Sequence, residues 1–468
     1  MFYTILIIIY LVASVAICKI AEAKGKTAKA YFVAENQLKH KLLIPMLFAG
    51  MIGGTTITSA AATGYTMGLM GMVHVIGMCL GSFIFLKFVS KPYQILVEKR
   101  GVMSVPAAFE IFFGEKVKNL MILVIALTNC MILATVPSSV SALLAPITGI
   151  EQKLLFWIVW AIWLLMTILG GIKGIAAMNI LHSGVMVVAI LGTLFGALKS
   201  LGGMSALSAN LPASAWNPFS GGFMTVLAMI LGAAIAQPTN TVISSAVFSG
   251  RDYKTSCKSI VIASLLMVPF AAAIALCGMC AAVMVPGVPQ NTALATLAKA
   301  IGPTFSVMIS MAICAATIST APASLLAVSN IFCNNLYKAY FRKKADDKEI
   351  RIVAVIFATV ASFGLALLGG NAPSLLGQLT GAAQINSVSG IVMIIGLYWK
   401  KVDSNGVFYS MLVGTIVGTV WHHLGNPFGL AVLWPAFAAT MLVLVVMTLL
   451  NKKEESDCHR NWVKIQNE

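Results

Sequence analysis

Carboxylates are scarce in this chain, and none lies where it could work inside a membrane. Asp and Glu total 15 in 468 residues, and all fall in connections between apolar stretches or, as with Glu22, at a stretch's last residue. Charged residues make up 10% of the chain, against about 25% for a soluble domain. Without ionisable groups at depth there is no basis for a carboxylate proton relay, a voltage sensor or an aspartyl membrane protease. No G-x-x-x-x-G-K-[ST] or H-E-x-x-H segment occurs, which leaves ATP-driven pumping and zinc catalysis without their loops and ligands. The nine cysteines lie mostly inside apolar stretches. The C-x-x-C of Cys277 and Cys280 has no His or Asp beside it and reads as membrane packing rather than redox or metal chemistry.

What the chain has in abundance is long apolar runs: 59% of residues are apolar. Thirteen stretches read as membrane spans, at 3–22, 43–68, 71–95, 117–146, 152–170, 173–200, 222–246, 257–285, 301–338, 350–369, 373–398, 405–424 and 428–450. Met1 to Cys18 lacks a basic leader and a small-residue cleavage site, so it reads as a retained first span. With the N-terminus outside, 28 of the 31 Lys and Arg fall on cytoplasmic connections; Lys153, Lys199 and Lys299 are the exceptions. Positive charge stays cytoplasmic during insertion, so this asymmetry supports the span count, the external N-terminus and the cytoplasmic C-terminus together. The net charge of +16 is spread over seven short segments. That pattern serves orientation and leaves no concentrated face for nucleic acid. The expectation is an all-α membrane protein surrounded by lipid, with no oligomeric state assigned by the pattern.

Any site in such a membrane core must be built from hydroxyls, amides and backbone groups. Two spans are interrupted midway: Gly53-Gly54-Thr55-Thr56, followed by Thr58 and Ser59, and Gln237-Pro238-Thr239-Asn240-Thr241, followed by Ser244 and Ser245. Gly and Pro break the helical ladder, and neighbouring Thr, Asn and Gln can satisfy the freed groups. The breaks stand five spans apart, in halves of opposite orientation. Paired broken helices are the sequence pointer to a midplane site in an inverted-repeat transporter, the competing reading being two unrelated kinks. In the ninth span Ala316, Ser319 and Thr320 share one helical face, with Pro322 loosening the carbonyl of residue 318. These oxygens suit a small hard cation. Equally, the hydroxyls could simply bond the preceding turn of their own helix. His74, His182, His422 and His423 remain as titratable groups, the last two reading as an interfacial pair.

Several motifs carry a resemblance. Lys26-Thr27-Ala28-Lys29-Ala30-Tyr31-Phe32-Val33-Ala34, Lys99-Arg100-Gly101-Val102 with Pro106 and Phe113-Gly114, and Thr167-Ile168-Leu169-Gly170-Gly171-Ile172 are each similar to conserved stretches of the sodium/solute symporters. Most specific is the ungapped match of Ser319-Thr320, Leu325-Leu326, Ser329 and Leu336-Tyr337-Lys338. The chain therefore resembles the sodium/solute symporter family. The resemblance implies a leucine-transporter-like core of five plus five helices: residues 1–42 lead in, 43–200 and 201–398 form the repeats, and 399–468 trail. It implies a sodium ion between the second and ninth spans, held by the hydroxyls of Ser319 and Thr320 and the carbonyls of Ala316, Gly53 and Thr56. It places a small organic solute near Thr55, Thr58 and Ser59, facing Gln237, Asn240 and Thr241. Two departures stand out: Met178-Asn179 where many members carry Thr-Asp, and Ser245-Ala246 where many carry Gln-Arg. The expected function is inward, sodium-coupled symport by alternating access, not enzymatic catalysis. The alternatives are a transporter fold acting as channel or sensor, and coupling to protons instead of sodium.

Overall fold

In the computed structural model, the described residues are 2–22, 27–133, 137, 140–141, 144–145, 149–368 and 375–468. Among them the chain is helical throughout, with one isolated backbone bridge between Leu38 and Gly250. The helices run α1 (Phe2–Glu22), α2 (Ala28–Val33), α3 (His40–Met51), α4 (Gly54–Met67), α5 (Val73–Phe88), α6 (Ser90–Arg100), α7 (Val105–Phe113) and α8 (Glu115–Leu133). They continue as α9 (Gln152–Leu201), α10 (Met204–Ala209), α11 (Phe223–Ala236), α12 (Thr241–Ser249), α13 (Tyr253–Met284), α14 (Ala293–Ile301) and α15 (Pro303–Ile331). The last are α16 (Asp347–Leu368), α17 (Leu375–Tyr398), α18 (Ser404–His423), α19 (Leu433–Leu450) and α20 (Asp457–Asn467). Seven helical stretches among the described residues are long and apolar enough to cross a membrane. This is an integral membrane protein.

Local chemistry explains the boundaries. Ser104 accepts from the Ala107 N–H with Pro106 in the first turn, starting α7; Asp403 accepts from Gly406 to start α18. At the start of α13, Thr255 donates its N–H and its hydroxyl to the two carboxylate oxygens of Asp252, at 2.7 and 2.8 Å. These bonds hold the Asp252 carboxyl below its usual pKa. Gly171, at φ 50° and ψ −169°, breaks α9 between the two stretches read as separate spans. Two apolar readings differ from the structure at their ends. The third span stops at Phe88, where Val89 leaves helical geometry and α6 begins anew. The ninth continues beyond α15 as a π-helix to Phe341.

The short helices α2, α6, α7, α10, α14 and α20 fall in what the sequence reading treated as connections or, for α6, partly as a span. The tail helix α20 folds back on the others: Trp462 is buried edge-on against Phe112 at 5.1 Å, and Lys99 Nζ donates to the Ile465 carbonyl at 2.7 Å. That lysine meets the negative end of the helix dipole.

Small residues allow the close approaches. Between α4 and α13, a Cβ added at Gly64 would stand 2.4 Å from the Ala275 carbonyl oxygen, and one at Gly278 would stand 2.1 Å from that of Ala61. Only glycine permits this spacing, the usual membrane substitute for a hydrophobic driving force between helices. Cys277 sits in the same core with its thiol 3.8 Å from the Ile190 carbonyl of α9, a packing position.

The two broken stretches are tied to each other. The Leu38 N–H donates to the Ser249 carbonyl at 2.9 Å, and the Arg251 N–H donates to Leu38 at 3.0 Å. From this clamp α3 runs away for 12 residues and α12 runs back for 9. At 1.5 Å per residue the two breaks therefore lie roughly 14–18 Å above it, at similar depth. A Cβ on Gly50 would touch Val242 at 3.0 Å.

Candidate functional site

At the first break, Ile52 (φ −97°, ψ 79°) and Gly53 (φ −75°, ψ 170°) leave helical geometry between α3 and α4. The final carbonyls of α3 lose their helical partners there, and the first N–H groups of α4 gain none. No side chain caps α4. The orphan carbonyls meet the ninth span. Ser319 Oγ lies 2.8 Å from the Ala49 carbonyl oxygen and 2.8 Å from that of Ala316. Thr320 Oγ1 donates to Ala316 at 3.0 Å and stands 3.3 Å from Ala49. Ala49, Ala316 and Ser319 are completely buried. The back-bonding expected of membrane Ser and Thr is present, but the contact to Ala49 reaches across helices and back-bonding does not require it.

The break carbonyl that meets these hydroxyls is that of Ala49, one turn before Gly53. The carbonyls expected from the resemblance, Gly53 and Thr56, are engaged within α4: Gly53 accepts from the Ile57 N–H at 3.1 Å and Thr56 accepts from Ser59 Oγ at 3.2 Å. The oxygens freed by a helix break lie on its N-terminal side, at the end of α3. Gly53 still borders the cluster, since an added Cβ would stand 3.0 Å from Thr320 Oγ1.

Beside the oxygen cluster lies a cavity of about 150 Å³ walled by both breaks. Gly53, Gly54, Thr55 and Thr56 contribute from the first, Gln237, Thr239, Asn240 and Thr241 from the second, and Thr317 and Thr320 from α15. Pro238 gives the second break its form: residues 237–239 make one tight turn, Asn240 is extended, and its side chain accepts from the Val242 N–H at 2.8 Å. Gln237 is 2% exposed and its Oε1 has no partner among the described residues. That leaves a buried, unpaired acceptor on a residue of the cavity wall.

Thr58 and Ser59 do not line this cavity. The Thr58 hydroxyl bonds back to Gly54 at 2.9 Å, and Ser59 to Thr56. We expect Thr58→Val to leave solute affinity within about twofold. Asn240→Ala removes both a cavity amide and a cap worth about 1 kcal/mol, so it should weaken affinity tenfold or more. Equilibrium binding on folded, monodisperse protein checks both: a tenfold loss in Thr58→Val, or none in Asn240→Ala, would overturn the corresponding assignment.

The wall also includes His74 of α5, singled out in the sequence only as a titratable group, and residues the sequence reading passed over: Met78 of α5, Thr128 and Asn129 of α8, Ser324 of α15 and Asn386 of α17. Thr239 Oγ1 donates to Asn386 Oδ1 at 3.4 Å, and Asn386 Nδ2 donates to the Ala236 carbonyl at 3.3 Å, bracing the second break. Isolated polar side chains inside otherwise apolar spans were the available signal. Of the two departures, Asn179 is fully buried with neither amide atom bonded among the described residues, and Ser245 donates to Val242 at 2.6 Å.

Comparison with known proteins bears on the fold and the family. The high-affinity proline transporter PutP of Bacillus subtilis is 25% identical over 407 residues, spanning 83% of this chain and 85% of its own length. The sodium/proline symporter of Escherichia coli is 30% identical over a 158-residue segment, 33% of this chain and 31% of its own. A sodium-coupled sialic acid symporter, solved substrate-bound and outward-open, superposes with a TM-score of 0.80 at 18% identity, covering 96% of this chain and 97% of that one. Mhp1, a nucleobase-cation-symport-1 transporter solved closed with bromovinylhydantoin bound, gives 0.63 at 15% identity, covering 93% and 98%. The fold is thus that of leucine-transporter-like transporters, and these relatives are carriers, not enzymes. With the model for the sodium:solute symporter family matching residues 31–414, this chain belongs to that family.

Proposed function

We infer that the protein is a sodium-coupled symporter that carries one small neutral or zwitterionic organic solute into the cell by alternating access. The observation that carries this reading is the sharing of one helix break by two sites. Ser319 and Thr320 meet the end of α3, while the solute cavity opens on the start of α4. Ions and solute that order the same break must favour each other, and the coupling factor is equal in both directions.

Sodium is cargo here, and the donor set suits it: two hydroxyls and the carbonyls of Ala49 and Ala316, all oxygen, buried and uncharged. Such a set matches a small monovalent cation and offers no carboxylate to neutralise a divalent one. The hydroxyls that donate to carbonyls in this arrangement can rotate to present lone pairs to an ion. The solute class follows from the cavity walls, which hold amides, hydroxyls and His74 but no Arg or Lys. A carboxylate would rely on the uncapped start of α4. Amino acids, including proline, form the first arm of the test and neutral sugars the second. Proteoliposomes should accumulate one labelled solute against its gradient with sodium outside and fail with choline. Downhill flux unaffected by sodium would favour the channel reading, and uptake driven by a proton gradient alone would favour proton coupling.

Thirteen spans with the N-terminus outside complete the reading, residues 43–200 and 201–398 forming the two inverted repeats. The basic-residue asymmetry supports this orientation. Reporter fusions at Glu468 and near Asp346 should both read cytoplasmic, and an external signal from either would sink the topology.

A further inference from the structure

Two side-open grooves flank the second half of α9 and meet at Gly184. One, about 460 Å³, is walled by Ile44, Pro45 and Phe48 of α3 together with Leu266 and Phe270 of α13. The other, about 440 Å³, continues past Val188 towards Met308 and Met311 of α15. Leu191, Leu266 and Val188 are 48, 49 and 64% exposed, as expected of side chains facing lipid rather than packed protein. A Cβ at Gly184 would meet nothing within 4 Å, so this glycine is open floor and not a close-packing position.

Each of the three helices around the larger groove carries an exposed lysine on its groove-facing stripe. On α3, Lys41 precedes Ile44, Pro45 and Phe48 by three, four and seven residues; on α9, Lys173 precedes Gly184 by eleven; on α13, Lys258 precedes Pro269 by eleven. At 100° per residue these offsets return to nearly the same face. Heights agree as well. His40 Nδ1 lies 2.9 Å from Ser259 Oγ, which sets Lys41 level with Lys258. Ser183 donates to the Pro45 carbonyl at 3.4 Å, which sets Gly184 beside the groove wall. Lys41 and Lys258 therefore stand roughly 6 Å below Pro45 and Lys173 roughly 9 Å lower again, within reach of four-carbon stems that snorkel. None of the three forms an ion pair among the described residues. Three unpaired cations beneath paired apolar grooves complement an anionic head group carrying two acyl chains.

We propose that α3, α9 and α13 form a binding site for one anionic phospholipid of the inner leaflet. Its two chains straddle α9 at Gly184 and its phosphate sits on Lys41 and Lys258, with Lys173 below. The site bears on the transport machinery because its wall is α3, the half-helix whose Ala49 carbonyl meets Ser319. Phe48, next to Ala49, packs edge-on against Phe270 across the groove at 5.2 Å. The proposal requires the lysine ends to face the cytoplasm but not sodium coupling, so a failure of symport leaves it standing.

Full-length protein in nanodiscs of phosphatidylcholine, with or without one-fifth phosphatidylglycerol, tests it by thermal unfolding. Phosphatidylglycerol should raise the wild-type midpoint by about 3 °C or more. Lys41→Gln with Lys258→Gln should remove that increment while leaving the phosphatidylcholine midpoint unchanged. Gly184→Phe fills the groove floor without touching a lysine and should remove it too. If both variants keep the wild-type increment, the site is wrong. If Gly184→Phe loses it and the lysine variant keeps it, the groove holds lipid chains without regard to head-group charge, which also overturns the proposal. If the lysine variant alone loses it, the lysines act as a diffuse surface patch and the groove assignment falls.

Discussion

Gly54→Leu is expected to abolish solute uptake while the protein still reaches the membrane. A Cβ at this position would stand 2.0 Å from Thr317 Oγ1, 3.2 Å from Thr317 Cβ and 3.3 Å from the Ile313 carbonyl oxygen. No real Cβ tolerates the first distance, so even alanine must push α4 away from α15. Thr317 cannot readily retreat, because its hydroxyl donates to Ile313 at 2.6 Å. The displacement falls at the start of α4, where one helix end borders both the Ser319–Thr320 oxygen cluster and the cavity proposed for the solute, and misplacements of an ångström at such sites are costly. Gly54→Ala should lower uptake at least tenfold. Combining it with Thr317→Ala deletes the obstructing oxygen and should restore a large part of that loss, whereas Thr317→Ala alone should be mild. Membrane levels measured in parallel distinguish the two explanations. If Gly54→Leu transports normally, or if its loss merely tracks missing protein, the close approach has no part in transport.

Ser319→Ala and Thr320→Ala carry the second large effect. Each deletes one oxygen from a buried cluster that has no charged group to take its place, and each should raise the half-saturating sodium concentration about tenfold, or ~1.4 kcal/mol. Ser319 is the more central, being fully buried and equidistant from Ala49 and Ala316, so its variant should be the worse of the two. With ion and solute on one break, as proposed, solute affinity at fixed low sodium should fall with it, while affinity at saturating sodium should recover. Ser319→Cys keeps the volume but weakens the ligand, and should resemble alanine. Wild-type sodium dependence in both alanine variants would move the ion elsewhere.

Much of this was legible in the chain. A membrane core without carboxylates, the two interrupted spans and the Ser319-Thr320 pair are local facts of residue type and spacing, and helix periodicity turns spacing into a shared face. The interruptions lie where Gly and Pro stand, since those residues break a helix whatever surrounds it. Local pattern fails where a hydroxyl has two partners to choose between. Thr55 and Thr58 look alike in sequence, yet Thr55 lines the cavity and Thr58 bonds the preceding turn of its own helix. That Ala49 supplies the carbonyl nearest these hydroxyls was hidden for a related reason: a sequence marks where a helix breaks, not which side of the break supplies free oxygens to a neighbour. That choice belongs to α15, whose Ser319 faces Ala49 and not Gly53.

By itself, then, the sequence determined the solvent, the helical class, the position of the breaks and the chemistry a site could use, because hydrophobicity, charge and backbone stiffness act over a few residues. The tertiary structure decided which groups share the site. His74, Asn129 and Asn386 join the cavity from three helices far apart in the chain, and the lipid site proposed for Lys41, Lys173 and Lys258 exists only because α3, α9 and α13 pack side by side. Packing between distant segments is set by the sum of many weak contacts, and no single stretch of residues contains it.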